Sequence, residues 1–468
     1  MTLEENNRSR PSARIIVAEK TSSISKGLVC RDQVDIWFRA NVLPAFFFKT
    51  PSHRFVDLMR VVAAVAHADR RVTRRVSVCW GRDIELDIPV SSPDFWEAEV
   101  APNLIRLLNL LSGDCWSFKF RKLKHGIELP MQHQLAFPPN GELVTAYSNG
   151  LDSFAVARLM ASGEVPLKEG TSSKQNLVLV TTGQKINAEL KATHTPFGYS
   201  VRCVSVPFVV RRFGEDFQLR ETSYRTRALI FQGMAALASA QCQGDTVVVA
   251  ESGQGSLGPW LTVTGSEVAD IRTHPIFTSA LTEVLKPILG CKVVFAHPQL
   301  WKTKGETLKQ LVDCGLQEGW QQTLSCATQV RHQKNKGARL QCGVCPNCLL
   351  RRQSLLAAGL EDKDSNYDYR CTPEPSRTRD SSRATTLRKR ISQGLLPLVE
   401  LAILKQTPLL AKTANRQIEH LATELHLNSI DVSQRVDRLV EVHRRELRSF
   451  IDSRPTNSII REFGEALL

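Results

Sequence analysis

The sequence predicts an α/β protein built on a doubly wound parallel sheet, with an N-terminal α+β domain and a C-terminal helical segment. Two observations carry this expectation. Over residues 143–360, short apolar runs rich in Val, Leu and Thr alternate with stretches whose apolar residues recur at helical spacing. That alternation is the βαβ rhythm of a parallel sheet. From residue 391 onward the strand-like runs stop and only helical spacing remains.

Taken in order, residues 1–13 are polar and read as a disordered tail, without the apolar stretch of a secretory signal. Residues 14–137 form the expected α+β domain, with strands at 15–18, 34–38, 76–80, 84–88 and 116–120 and helices at 55–68 and 95–111. Pro138-Pro139-Asn140-Gly141 is a turn signal and marks a boundary. The core at 138–361 has expected strands at 143–146, 177–181, 199–206, 246–250 and 292–295. Helices are expected between them at 154–161, 185–192, 224–240 and 277–288. Residues 362–390, polar and holding Pro373 and Pro375, read as a linker, and 391–468 as a helical domain with helices at 395–403, 415–426 and 433–450.

Lys and Arg number 61 against 47 Asp and Glu, a net charge of +14. A basic chain favours polyanionic partners: a nucleotide, a nucleic acid or an acidic protein. The excess is spread along the chain. Its local run, from Arg377 through Arg383 to Arg388-Lys389-Arg390, lies among Ser, Thr and Pro and reads as solvated linker. Nucleic acid is an open partner that the charge does not single out. No apolar run has the length needed to span a bilayer, so no membrane partner is expected and the cytoplasm is the expected location.

The most informative stretch is Ser148-Asn149-Gly150-Leu151-Asp152-Ser153, between an expected strand and an expected helix. Such a turn directs backbone N–H groups and two hydroxyls to the positive end of a helix, where phosphate binds. Gly150 lets the backbone approach phosphate oxygens. Asn149 is among the residues best able to adopt a left-handed conformation. Asp152 is anionic, so it must bind Mg²⁺ or brace the loop. Asn-Gly is also a turn dipeptide and Asp-Ser a helix cap, but the position directly after a strand favours the phosphate reading. The Gly-x4-Gly-Lys-Ser/Thr spacing of γ-phosphoryl chemistry is missing.

Twelve cysteines are present. Cys30, Cys79, Cys115, Cys203, Cys242, Cys291, Cys314 and Cys371 are scattered singly and read as small buried hydrophobes. Cys342, Cys345 and Cys348 stand two residues apart with glycine and proline between them, and Cys326 precedes them. Four soft thiolates suit a closed tetrahedral zinc site of structural role. An iron–sulfur cluster is the competing occupant.

The pattern Ser-x-Gly-x-Asp-Ser resembles the PP-loop of the N-type ATP pyrophosphatases, usually Ser-Gly-Gly-x-Asp-Ser. With the later Ser-Cys…Cys-Gly-x-Cys-x-x-Cys-x-x-Arg, residues 142–360 are similar to the QueC, or 7-cyano-7-deazaguanine synthase, family. The resemblance implies a HUP-like core that uses ATP and Mg²⁺, with Ser148, Asn149, Gly150, Leu151, Asp152 and Ser153 on the pyrophosphate. It implies Zn²⁺ on Cys326, Cys342, Cys345 and Cys348, followed by the basic Arg351. Lys304-Gly305-Glu306 resembles the family's Lys-x-Glu element, and Arg225 or Arg227 its arginine before a helix. Asp152, Lys304 and Arg227 would then serve catalysis.

Family members adenylate 7-carboxy-7-deazaguanine, form an amide with ammonia and dehydrate it to the nitrile with a second ATP. The added flanks look more like the QueC-like proteins of bacterial antiphage operons, the QatC group and its type IV CBASS counterpart. The implied activity is a carbon–nitrogen ligase that joins a 7-deazaguanine carboxylate to an amine, one carried by a partner protein included. The alternatives are a housekeeping nitrile synthase, a PP-loop tRNA-modifying enzyme and a degenerate non-catalytic assembly module. The chain departs from the family pattern at Asn149, where glycine is usual, and in its longer gap between first and second cysteine. No Tyr-Pro-Asp-Cys-Arg follows Glu251-Ser252-Gly253-Gln254-Gly255.

Overall fold

The computed structural model describes residues 10–19, 28–47, 49–50, 52–77, 79–125, 142–165, 176–182, 201–210, 221–263, 268–327, 334–335, 338–339, 341–363, 367 and 381–468. Packing divides the chain into two units that interleave in sequence. The first comprises Met1–Tyr147, Ser173–Val249 and Gly265–Ala296, and the second Ser148–Ser172, Ala250–Thr264 and His297–Leu468. The expected segments 14–137 and 138–361 instead run in chain order. The strands between residues 143 and 296 belong to the first unit, and the chain leaving three of them, at Ala146, Val248 and Ala296, opens the second unit's segments.

The first unit holds the strands β1 (Ser12–Ala18), β2 (Leu28–Arg31), β3 (Ile36–Phe38), β4 (Asp83–Val90), β5 (Cys115–Lys122), β6 (Leu143–Ala146), β7 (Leu177–Thr181), β8 (Val201–Ser205), β9 (Phe208–Val210), β10 (Thr246–Val248) and β11 (Val294–Ala296). One sheet has the order β2-β1-β4-β5 and is parallel throughout. Parallel pairing requires long crossovers. Here α2 (His53–Arg71) lies between β3 and β4, and α3 (Ala101–Ser112) between β4 and β5. The expected α+β domain is therefore an α/β layer. β3 and β9 form a separate antiparallel pair, with Phe38 and Phe208 stacked at 6.2 Å.

The second sheet has the order β11-β10-β6-β7-β8, again parallel. The order reverses at β6, which pairs with β7 on one side and β10 on the other. That is the doubly wound arrangement expected, with its switch point beside β6. Val144, Val178, Leu179 and Val247 are buried in it, as continuous apolar strands of a parallel sheet require. The expected strand at 76–80 does not form among the described residues of that range. Among the described residues of this stretch, Val76 and Ser77 form a turn, with a single bridge between Arg75 and Cys79. Arg74 lies over the Trp80 ring and donates to its carbonyl, and Trp80 donates to the Ser112 carbonyl. Side-chain anchoring outweighs β-propensity there. The expected helix at 185–192 and Cys371 lie outside the described residues.

The second unit is helical among its described residues, apart from the two-residue strands β12 (Lys334–Asn335) and β13 (Ala338–Arg339). Its helices are α4 (Leu151–Ser162), α6 (Gly253–Leu261), α8 (Lys304–Asp313), α9 (Pro346–Ala357), α10 (Ser381–Ala402), α11 (Pro408–Leu425), α12 (Ser429–Asp452) and α13 (Ile459–Leu467). The helices α1 (Val42–Phe47), α5 (Arg227–Gln241) and α7 (Pro275–Leu289) complete the first unit. The expected linker is shorter than 362–390, because α10 begins at Ser381. Arg388 makes a two-pronged ion pair with Glu462 of α13 at 3.0 Å, with both side chains remaining more than a third exposed to solvent.

The C-terminal helices are not a free arm. Ile391, Leu395, Val399, Leu447, Phe450, Ile459 and Ile460 share one core with Cys342, Val344, Cys348 and Leu349. A second core joins α6, α11 and α12 through Leu257, Leu261, Ile418, Leu421, Val436 and Leu439. No helix among the described residues is long and apolar enough to cross a membrane.

Candidate functional site

The expected phosphate loop lies between β6 and α4. Ser148 and Asn149 are exposed, Asp152 is half-buried and Ser153 is buried. Gly150 caps α4 in an extended conformation, and its carbonyl accepts from Phe154 N–H. The two hydroxyls meet, Ser148 Oγ lying 2.9 Å from Ser153 Oγ. The Ser148 N–H donates to Ser153 Oγ and the Gly150 N–H to Ser148 Oγ, each at 3.3 Å. The loop thus gathers hydroxyl and amide donors at one point in front of a helix N-terminus.

A second segment lies alongside it. Leu324 N–H donates to the Asn149 carbonyl at 2.7 Å, and Asn149 Nδ2 donates to the Gln322 carbonyl at 3.4 Å. Arg158 of α4 holds the preceding turn by donating to the carbonyls of Leu316 and Glu318, both at 2.6 Å. The same segment leads into the metal cluster, because Ser325 N–H donates to Gln341 Oε1 at 2.8 Å.

Lys304, the first residue of α8, places Nζ 2.7 Å from Asp152 Oδ2. The helix start is readable as a capping box. Thr303 Oγ1 accepts from Glu306 N–H at 3.0 Å, and Glu306 Oε2 accepts from Thr303 N–H at 2.9 Å. Glu251 is the third ionisable group at this point, and sequence reasoning missed it. Burial pushes its carboxyl up to about 8, the Asp152 carboxylate adds to the rise, and Lys304 opposes it. Burial works against the Lys304 charge, but Asp152 and Glu251 outweigh it and raise the ammonium above its ordinary value. Glu251 Oε1 accepts from Ser252 N–H at 3.2 Å. It lies so close to α6 that a Cβ on Gly255 would sit 2.3 Å from its carboxylate, so a larger residue there would have to displace the Glu251 side chain.

Arg351 of α9 is fully buried. Its Nη1 donates to Thr323 Oγ1 at 2.7 Å and to Ser325 Oγ at 3.4 Å, while Nε and Nη2 have no hydrogen-bond partner among the described residues. Burial lowers its pKa, with Tyr367 and Asp362 opposing. A buried guanidinium with donors left over has the chemistry to hold an anion or a water. Arg227 belongs to the first unit, exposed at the start of α5, with Asp270 and Arg272 near it. Arg225 pairs with Asp270 at 3.8 Å in that unit.

The four expected metal ligands converge. The Sγ atoms of Cys326, Cys342, Cys345 and Cys348 all lie within 4.8 Å of one another. Thiolates about 2.3 Å from zinc have S···S edges of about 3.8 Å, so small side-chain shifts seat the ion. The backbone supports thiolates, since Cys342 N–H points at Cys326 Sγ and Cys345 N–H at Cys342 Sγ, at 3.4 and 3.3 Å. Gly343 supplies the left-handed turn (φ 75°) and Pro346 starts α9, bringing Cys348 into its first turn. This cluster suits zinc or a comparable thiophilic ion.

A comparison with protein-family models and one with curated proteins each found no match. The site residues themselves therefore carry the functional reading.

Proposed function

We propose that the protein is an ATP-dependent, adenylate-forming carbon–nitrogen ligase of the QueC type, acting on a 7-deazaguanine carboxylate in antiphage defence, on a HUP-like PP-loop core. The observation that carries this reading is the convergence of Lys304 on Asp152 of the loop at 2.7 Å, with the two loop hydroxyls at the same helix start. Arg351, whose Nε and Nη2 have no hydrogen-bond partner among the described residues, adds a second buried cation.

In the proposed reaction a substrate carboxylate oxygen attacks the α-phosphorus of ATP. The bond to the β,γ-pyrophosphate breaks, and acyl-adenylate and pyrophosphate result. An amine then attacks the acyl carbon, loses a proton and expels AMP, leaving an amide. The charge that develops is on the departing pyrophosphate. Ser148, Ser153 and the loop amides donate to it, and Lys304 and Arg351 neutralise it electrostatically. Asp152 and Glu251 are the groups that would hold Mg²⁺, which supplies further charge neutralisation on the phosphates. Leu151 is buried in the helix behind the loop, and Asn149 takes the usual glycine position through its carbonyl bond to Leu324. A partner protein from the same operon is the proposed bearer of the amine.

The test is ATP–pyrophosphate exchange that depends on the carboxylate. It is expected in the wild type and expected to vanish in Ser153→Ala. Mass spectrometry of the product separates an amide conjugate from a free nitrile. No exchange with any 7-deazapurine acid would overturn the reading.

A further inference from the structure

We infer that the C-terminal helix α12 positions Lys304, through a buried chain of hydrogen bonds centred on His443. This inference rests on the reading of Lys304 as a pyrophosphate-binding group. Every link lies within the second unit.

His443 is fully buried. Its Nε2 lies 2.8 Å from the Leu398 carbonyl, which can only accept, so Nε2 carries the proton and Nδ1 accepts. Gln254 Nε2 lies 2.6 Å from that Nδ1 and donates to it. The other end of the same amide, Oε1, accepts the Lys304 N–H at 2.8 Å. This N–H is one of the donors that a helix start leaves without an intrahelical partner. The tautomer of His443 and the orientation of Gln254 are thus both forced by backbone groups, one on α10 and one on α8. Gln353 Nε2 donates to the same Nδ1 at 3.2 Å.

A second tie comes from the next turn of α12. Glu446 Oε1 accepts from Thr303 Oγ1 at 2.6 Å, and a Cβ on Gly305 would meet that carboxylate at 2.3 Å. The residues on both sides of Lys304 are therefore held by α12, while its side chain reaches Asp152. His443 and Glu446 are positioning residues: they touch neither the loop nor the groups proposed to meet phosphate. The extension after residue 391 then has a role in the site itself.

The test compares His443→Leu, which deletes the acceptor, with His443→Asn, which returns an acceptor towards Gln254. Hydrogen–deuterium exchange of segment 303–308 is expected to speed up in His443→Leu and to return towards wild type in His443→Asn. ATP–pyrophosphate exchange is expected to lose about tenfold in kcat in His443→Leu and in Gln254→Leu. The double variant is expected to be no worse than either single, because both break one chain. Unchanged exchange at 303–308 in both Leu variants, or additive losses in the double, would overturn the inference. If the wild type shows no ATP–pyrophosphate exchange, the functional reading falls, and the amide exchange still decides the brace. Should His443→Leu fail to fold, Gln254→Leu carries both measurements.

Discussion

The Leu324 N–H donates to the Asn149 carbonyl at 2.7 Å, which ties the 148–153 loop to the segment that delivers Cys326 to the four-cysteine cluster. Loop and metal cluster, separate motifs in the sequence, are thus one mechanical piece. The bond uses the backbone of the residue that departs from the PP-loop pattern, so the asparagine side chain leaves it intact.

Metal loss should therefore be felt at the loop. The purified chain is expected to carry one zinc, measured by elemental analysis, and Cys345→Ser to lose it. Because metal binding contributes directly to folding, the metal-free chain should melt at least roughly 10 °C lower. Hydrogen exchange at 148–153 should rise with it. A brown chain with iron and sulfide would replace zinc by a cluster.

Lys304 and Asp152 are 7% and 15% exposed. Removing one member of a buried pair costs on the order of 3–5 kcal/mol, because the other charge is stranded. Lys304→Met is expected in that range, and Lys304→Met with Asp152→Asn closer to wild type. Urea midpoints decide it, and equal destabilisation of single and double variants would contradict the pairing.

Acid should weaken the fold through His443. Burial pushes this imidazole down to about 4, against about 6.5 in an unfolded chain. Between these values the unfolded state holds a proton that the folded state lacks, so stability falls as pH drops, by up to about 1.4 kcal/mol per pH unit. His67, also fully buried and pushed to about 4, adds the same trend. Glu446, pushed up to about 7 by burial, works the opposite way above its ordinary value. The difference between wild type and His443→Asn in denaturation at pH 7, 6 and 5 isolates the histidine. Parallel curves would refute its contribution.

Two glycines should respond to alanine with opposite sign. A Cβ on Gly394 of α10 would lie 2.3 Å from the Val344 carbonyl, whereas one on Gly233 of α5 meets nothing within 4 Å. Gly394→Ala is expected to cost about 1–3 kcal/mol by pushing α10 off the metal knuckle. Gly233→Ala should stabilise by about 0.4–1 kcal/mol through the unfolded chain. Thermal melts of the two variants check both signs.

Some of this was legible locally. The apolar runs at 143–146 and 177–181 are strands because both faces are covered, and continuous hydrophobicity records that. The Cys-x2-Cys-x2-Cys spacing records ligands that must reach one ion. Thr303 and Glu306 carry a capping box in plain view. Other elements were hidden. Gly253–Leu261 is a helix despite three glycines and Pro259, because Leu257 and Leu261 bury in the α11–α12 core. Residues 76–80 have strand composition, yet Val76 and Ser77 form a turn beside the anchored Arg74 and Trp80.

By itself the sequence determined the alternation of strands and helices, the loop that follows β6 and the four thiols, because each depends on residues close together in the chain. Only the tertiary structure decided that Glu251 joins Asp152 and Lys304, that Arg227 belongs to the other unit, and that His443 braces α8. Those relations arise from burial of charges and from hydrogen bonds between distant segments, and a buried polar group must find its partner wherever the fold provides one.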